Sequence, residues 1–592
     1  MMATWNEGMS MVFSTRRRNF LTILVSGFLA AVTAHEAVGQ QAAIISGRDR
    51  FHPVLAQNGM VASQEAVATR VGVAILKKGG NAVDAAIATG FALAVTLPRA
   101  GNLGGGGFMM IHMANTGETE ALDYREKAPA AATRDMFLNE DGEPDKTKSR
   151  FSGLAIGVPG TVAGFAAAFE KHGSGRLTWA DLVEPAIELA ENGIVVTQDL
   201  SGSLLSRVDR LTQDPATAKV FYKNGFIPYL PGETLKQSDL AETLRKIARQ
   251  GAAGFYTGEV AQKIVSKVQA EGGGMTLEDL AGYEAVWRSP VMGSYRGYTV
   301  ASMPPPSSGG VHIVQILNML EDHPVSDYGH NSAKTMHLIS EAMKRAYADR
   351  SEYLGDPDFV EVPVTGLTDR AYAKELMETV SFDEATASSS IKPGNPVPYE
   401  SNETTHYSVV DRDGNAVSNT YTLNFSYGVG LMADGTGVLL NNELDDFSAK
   451  PGVPNAYGLI GGAANAVAGD KRPLSSMSPT LVFKDGAFFL ATGSPGGSRI
   501  ITTTLQIILN VVDHGMNIAE ASAAPRFHHQ WLPDEIRIEE GVSPDTVFLL
   551  EQLGHQVEVK NVMGSTQSIM KVSGQLAGAS DPRRSGALTE GY

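Results

Sequence analysis

Apolar residues along the chain switch between a helical spacing and a strict alternation, and each switch marks an element boundary. Residues 64 to 97, QEAVATRVGVAILKKGGNAVDAAIATGFALAVTL, carry the helical spacing and predict two alanine-rich helices broken at Gly79 and Gly80. Small side chains on both suit them to a tightly packed, buried layer. AGNLGGGGFMMIHM then runs through a glycine cluster at 104 to 107 into an apolar strand, and TEALDYREKAP supplies a second strand after the turn at 115 to 117. Together they predict a hairpin. From about 155 to 350, helical windows such as TWADLVEPAIELAEN and HIVQILNML alternate with Gly/Pro turns, and MHLISEAMKRAYADR predicts an amphipathic helix. Mixed α/β structure is expected there.

Between 383 and 403 the pattern lapses into DEATASSSIKPGNPVPYESNE, whose prolines and serines predict a flexible linker. Alternation resumes at once. HYSVVD, the turn RDGN and AVSNTYTLN predict a strand pair, and PTLVFKDGAFFLATGSPGG predicts another before the helical ITTTLQIILNVVDHG. Strands followed by helices on both sides of the linker predict sheets covered by helical layers. No repeat of solenoid period is present.

Composition narrows the function. An excess of 65 acidic over 48 basic residues gives a formal charge of -17, which argues against binding a phosphate backbone. The chain has no cysteine, so disulfides, thiolate nucleophiles and zinc-thiolate sites are excluded and covalent catalysis has to use oxygen or nitrogen. Near the start, STRRRNFLTILVSGFLAAVTA places three arginines before a short apolar run that ends on small residues. Residues 1–34 are expected to be an export signal of twin-arginine type, cut after Ala34, with a periplasmic or secreted destination. The run from Phe20 to about Ala31 is shorter than the roughly 20 residues needed to cross a bilayer.

Thr404 and Thr405 sit where the linker meets the strand. A threonine there suits a strand start by β propensity alone. It can also be a nucleophile if the peptide bond before it is cut, because its own α-amine, with a pKa of about 8, then lies within reach of the hydroxyl as a base. Glu403-Thr404 would be that bond.

Six strings in order, YREKAPA, TTHYSVVD, NNELDDFSAKPGVPN, RPLSSMSPT, TGSPGGSRI and APRFHHQWLPDE, resemble the γ-glutamyltranspeptidases (glutathione hydrolases) of the amino-terminal-nucleophile hydrolase superfamily. The resemblance runs from about residue 50 to 592. It implies an α+β, four-layer αββα sandwich formed by two fragments of one precursor, residues 35–403 and 404–592, held as a heterodimer. It implies that Thr404 attacks a γ-glutamyl carbonyl to form an acyl-enzyme, which water or an amino-acid or peptide acceptor resolves. Thr422 matches a residue that holds the nucleophile's hydroxyl, and Gly496 and Gly497 match oxyanion-hole positions. Arg125 matches the arginine for the substrate's α-carboxylate, with Ser475 and Ser476 as hydroxyl donors to it. Asp446 matches the acid for the α-ammonium, with Asn424 and Glu443 completing the amine side. Tyr457 matches the gate of a lid loop over residues 451 to 463.

Other signals carry less. The glycines at 104 to 107 fit no phosphate-binding pattern and are expected to pack a strand against a helix. His528 and His529 are adjacent, a poor arrangement for chelation on a strand, so no metal is assigned and no cofactor is expected. His406 is expected to orient the first strand after the linker. Two alternatives remain: a glutaryl or cephalosporin acylase on the same scaffold, and an uncleaved protein that binds γ-glutamyl peptides.

Overall fold

In a computed structural model, which describes residues 51–394, 405–450, 453 and 462–592, the alternating segments assemble into two seven-stranded antiparallel sheets. Across the first sheet the order is Leu588–Gly591, Met60–Ser63, Thr405–Val410, Ala416–Thr422, Gly106–Met113, Glu118–Tyr124 and Val286–Arg288. The second runs Val54–Ala56, Gln575–Ser580, Gln567–Val572, Ala487–Thr492, Thr480–Lys484, Tyr298–Ser302 and Val291–Tyr295. Both hairpins expected after the linker are present. The turn between Thr480–Lys484 and Ala487–Thr492 places Asp485 and Gly486 at φ 51° and 78°, as a tight two-residue hairpin turn requires.

Period-two patterning sends alternate side chains to opposite faces. Phe108 and Met110 pack with Leu481, Phe483 and Ile569 between the sheets. Their neighbours Met109 and Ile111 face a helical layer containing Ala66–Lys77, Ala82–Thr96 and Thr161–His172. On the second sheet, Val482, Leu490 and Met570 face outward beneath Gly309–Leu320, Ala333–Tyr353 and Arg499–Val512. This is the expected αββα order, formed within the compact unit Phe51–Tyr592.

The space between the sheets is partly polar. Ser302 and Thr480 hydroxyls lie 2.8 Å apart, Thr492 and Ser568 hydroxyls 2.7 Å apart, and Ser418 Oγ donates to Thr492 O at 3.0 Å. His406 sits there too, its Nδ1 2.9 Å from Thr420 Oγ1 and its Nε2 3.1 Å from Ser408 Oγ. Burial pushes its pKa down to about 3, so it is a neutral cross-strand tie.

Two expectations change. The polar side of Ala333–Tyr353 does not face water: Glu341, Lys344, Arg345, Asp349 and Arg350 are all buried, and each has partners. That polar face also captures the start of the expected linker. Glu341 Oε1 accepts from Thr386 N at 3.1 Å, and Asp349 Oδ1 accepts from Gly394 N at 2.7 Å. Ser388 N and Oγ donate to Asp534 at 2.8 and 2.7 Å. Thr386, Ser388 and Gly394 are therefore held by carboxylates, two of them buried, despite the linker-like composition around them, while residues 395–404 lie outside the described residues.

The helix layer meets the first sheet closely at Gly90. A Cβ there would lie 2.4 Å from a Phe165 ring atom and 2.8 Å from the Tyr407 hydroxyl. Gly90→Ala is expected to cost about 1–3 kcal/mol by overpacking, read as a lower midpoint in thermal unfolding. An unchanged midpoint would contradict this packing.

Candidate active site

Strand ends and loops from the two sheets carry those of the assigned residues that the structure describes. Arg125 leaves the strand Glu118–Tyr124, its N–H donating to Asp123 Oδ1 at 3.0 Å and its carbonyl accepting from Tyr283 Oη at 2.7 Å. Its guanidinium is fully buried. It donates to the carbonyls of Pro473 and Leu474 at 3.1 and 3.0 Å and pairs with both Glu443 and Asp446. Glu126 Oε2 lies 3.8 Å away.

Glu443 and Asp446 belong to one 3₁₀ turn, Glu443–Asp446. Asn441 fixes that turn with its whole amide: Nδ2 donates to Gly104 O and Gly157 O at 2.8 Å, while Oδ1 accepts from Gly157 N and Glu443 N at 2.9 and 3.0 Å. The glycine cluster makes this closeness possible. A Cβ on Gly104 would lie 2.1 Å from Leu439 O, on Gly105 1.9 Å from Thr422 O, and on Gly106 2.8 Å from Glu126 Oε2. The cluster therefore packs backbone against backbone at the ends of strands, rather than a strand against a helix as expected.

Three buried carboxylates thus surround one buried guanidinium. Burial opposes charge on Arg125, but Glu443, Asp446 and Glu126 outweigh it and raise its pKa. Burial raises Glu443 and Asp446 strongly against the pull of Arg125, and pushes Glu126 up to about 7. The cluster is short of positive charge. Its acceptors are also short of donors: among the described residues, Glu443 Oε2 and Asp446 Oδ1 are buried without a hydrogen-bond partner, as are both Glu126 oxygens. Nearby, Asn424 donates from Nδ2 to Asn442 O at 2.9 Å, and its Oδ1 is likewise unpartnered.

Thr422 ends the strand Ala416–Thr422. Its Oγ1 accepts from Asn424 N at 2.8 Å, and its carbonyl accepts from Asn102 Nδ2 at 2.8 Å. Thr405 pairs with Tyr421, the residue before Thr422, and among the described residues the buried Thr405 Oγ1 has no hydrogen-bond partner. Glu403, Thr404 and Tyr457 lie outside the described residues.

Gly496 and Gly497 lie between the strand Ala487–Thr492 and the helix Arg499–Val512, at φ 137° and 67°, a region that favours glycine. Among the described residues neither N–H meets an acceptor. Gly496 lines a cleft with Thr422 and Asn424. Ser475 and Ser476 are held from the second helical layer: Ser475 O accepts from Ser308 N at 2.7 Å, Ser475 Oγ accepts from Met477 N at 3.1 Å, and Arg350 donates to Ser476 Oγ. Arg350 also donates to Ser308 Oγ at 3.1 Å.

Sequence reasoning missed Glu126, Asn441, Asn102 and Arg350. Glu126 and Asn441 had a local signal, the one directly after Arg125 and the other opening the string that contains Glu443 and Asp446.

Away from this site, His337, Glu341 and His555 hold ligand atoms within 4.8 Å of one another. Lys344 and Arg345 already occupy both Glu341 oxygens, at 2.9 and 2.7 Å, and the two imidazoles bond directly at 2.8 Å. A cation there would meet two others. His528 bonds Thr502 and Gln530, and His529 accepts from Trp531 N.

Comparison with known proteins follows the same lines. A family model described as gamma-glutamyltranspeptidase matches residues 68–591. The glutathione hydrolase proenzyme of Escherichia coli strain K12 is 58% identical over 546 residues, covering 92% of this chain and 93% of that protein. A solved Helicobacter pylori gamma-glutamyltranspeptidase is 47% identical with a TM-score of 0.55, over 59% of this chain and 97% of its own. A cephalosporin acylase from Bacillus halodurans has a TM-score of 0.82 at 28% identity, over 94% of this chain and 99% of its own.

The charge cluster makes a pH-dependent prediction. Glu126 has a folded pKa of about 7 against an ordinary 4.5, so between those values the folded chain binds more protons than the unfolded one, and stability falls as pH rises through that window. Glu126→Gln is expected to remove this contribution and to gain on the order of 3 kcal/mol relative to wild type above pH 7, with little gain below pH 4.5. Thermal unfolding at several pH values measures it; a difference that does not change with pH would contradict the assignment.

Proposed function

The chain belongs to the γ-glutamyltranspeptidase family, and we propose that it is an exported proenzyme that cuts itself before Thr404 and then transfers or hydrolyses γ-glutamyl groups. The activity is that of a glutathione hydrolase and γ-glutamyltransferase. The observation that carries the substrate reading is the trio of buried oxygens on Asn424, Glu443 and Asp446 that have no hydrogen-bond partner among the described residues. An α-ammonium brings one positive charge and three N–H donors, which fits a cluster holding three carboxylates and one guanidinium.

In the free site Arg125 is tied to Glu443 and Asp446. An entering α-amino acid supplies both signs at once. Its ammonium takes over part of the demand of the two acids, and its carboxylate takes the freed edge of the Arg125 fork, with Ser475 and Ser476 beside it. The γ-carbonyl is then left for the threonine.

The step balances simply. The freed α-amine of Thr404 takes the hydroxyl proton as the oxygen attacks, the oxyanion lies against the N–H groups of Gly496 and Gly497, and the proton passes to the leaving nitrogen as the C–N bond breaks. An ester remains, and water or an amine reverses the sequence of transfers. Thr422 holds the nucleophile's hydroxyl, and a lid with Tyr457 shields the ester.

Cutting before Thr404 leaves residues 35–403 and 404–592 as a heterodimer. The strand Thr405–Val410 pairs with Met60–Ser63 on one side and Ala416–Thr422 on the other, and Ala416–Thr422 pairs with Gly106–Met113. Strands of the smaller fragment are therefore interleaved with strands of the larger one, and separation would require opening the sheet. Among the described residues no helix is long and apolar enough to cross a membrane, in keeping with export guided by residues 1–34 to the periplasm or beyond.

Thr404→Ala tests the reading. The wild type is expected to run as two chains on a denaturing gel, the smaller beginning Thr404-Thr405-His406, and to release p-nitroaniline from a γ-glutamyl anilide. The variant is expected to stay as one chain and to lose at least 10³-fold in turnover, as loss of a covalent nucleophile does. A variant that still splits at the same bond and still turns over would overturn it.

A further inference from the structure

The cleft that contains Thr422, Asn424 and Gly496 has a basic wall and no acidic residue on it: Arg99, Arg499 and Arg584 all line it. In a chain with a formal charge of -17 this is a local reversal of sign. Arg99 is neutralised by Asp199 at 2.8 Å. Arg499 differs, for its half-buried guanidinium has no hydrogen bond or ion pair among the described residues. The guanidinium of Arg537 is close enough to feel it: burial first, and then repulsion from Arg499, lowers the pKa of Arg537. Arg537 Nε is itself buried and has no hydrogen-bond partner among the described residues. Holding one unpaired guanidinium near another costs free energy that an anion would relieve.

Arg499 stands two residues beyond Gly497, on the wall it shares with Gly496. If the α-amino acid end of a γ-glutamyl compound is taken by Arg125, Glu443 and Asp446, the portion beyond the scissile amide has this cleft to occupy. In a γ-glutamyl dipeptide that portion ends in a carboxylate roughly 7 Å past the scissile nitrogen, two residues of extended chain. We propose that Arg499 forms a carboxylate subsite for the leaving portion, so that the enzyme selects γ-glutamyl peptides with a free C-terminus. The planar fork of arginine suits a carboxylate in a bidentate pair. This rests on the γ-glutamyl transfer reading above and adds a determinant on the opposite side of the scissile bond.

The test compares three substrates on the processed wild type, Arg499→Gln and Arg499→Lys: glutathione, its C-terminal carboxamide, and a γ-glutamyl anilide that lacks any carboxylate beyond the scissile bond. Wild type is expected to favour the free acid over the carboxamide by roughly tenfold in kcat/KM, the scale of one charge-assisted contact. Arg499→Gln is expected to lose that preference through a higher KM confined to glutathione, and Arg499→Lys to retain part of it. Equal wild-type rates on acid and carboxamide, or an Arg499→Gln loss shared by all three substrates, would overturn the subsite while leaving γ-glutamyl transfer intact. Failure of the wild type to turn over the anilide and both peptides would overturn the transfer reading and the subsite with it. The acid-to-carboxamide comparison on wild type decides even where a variant fails to fold.

Discussion

Burying one guanidinium among three carboxylates is the constraint around which the site is built. Each charge removed from water costs several kcal/mol unless it is met by a partner of opposite sign and by hydrogen bonds. Arg125 is met fully, by two acids and two carbonyls. The acids are not, since among the described residues oxygens on Glu126, Glu443 and Asp446 are without donors. A protein that held this arrangement only for stability would be paying for an imbalance that a neutral glutamine or asparagine could remove. The imbalance has the sign, the acceptors and the burial that an α-ammonium would satisfy.

The surrounding fold keeps that cluster from collapsing. Asn441 pins the acidic turn to two backbones, the glycines at 104 to 107 let strand ends approach within distances no side chain would permit, and Arg350 ties the Ser475–Ser476 loop to a buried helix. The same helix holds residues 383–394 through Glu341 and Asp349. One element therefore holds both the Ser475–Ser476 loop and part of the chain that leads toward the proposed cut.

Much of this was legible in the sequence, and the rest was hidden for identifiable reasons. Alternating strands, tight Asp-Gly turns and alanine-rich helices announced the layers because each is a local pattern. Short strings singled out candidate site residues, and the structure brings three of them, Arg125, Glu443 and Asp446, into direct contact. What periodicity could not show was that the polar face of Ala333–Tyr353 is buried and paired, since a charged helical face looks the same whether its partners are water or other side chains. Nor could composition show that Ser388 and Gly394 dock on carboxylates. Glu126 was missed because its role depends on the chain leaving the strand at Arg125, which brings two consecutive side chains into one cluster.

The most direct test of the central claim is calorimetric binding to the processed protein of L-glutamate and of glutarate, which keeps both carboxylates and lacks only the α-ammonium. The account predicts that glutamate binds at least tenfold more tightly, and that Asp446→Asn reduces this advantage. Equal affinity for the two ligands would contradict it, because the unpartnered oxygens of Asn424, Glu443 and Asp446 would then not be an ammonium site.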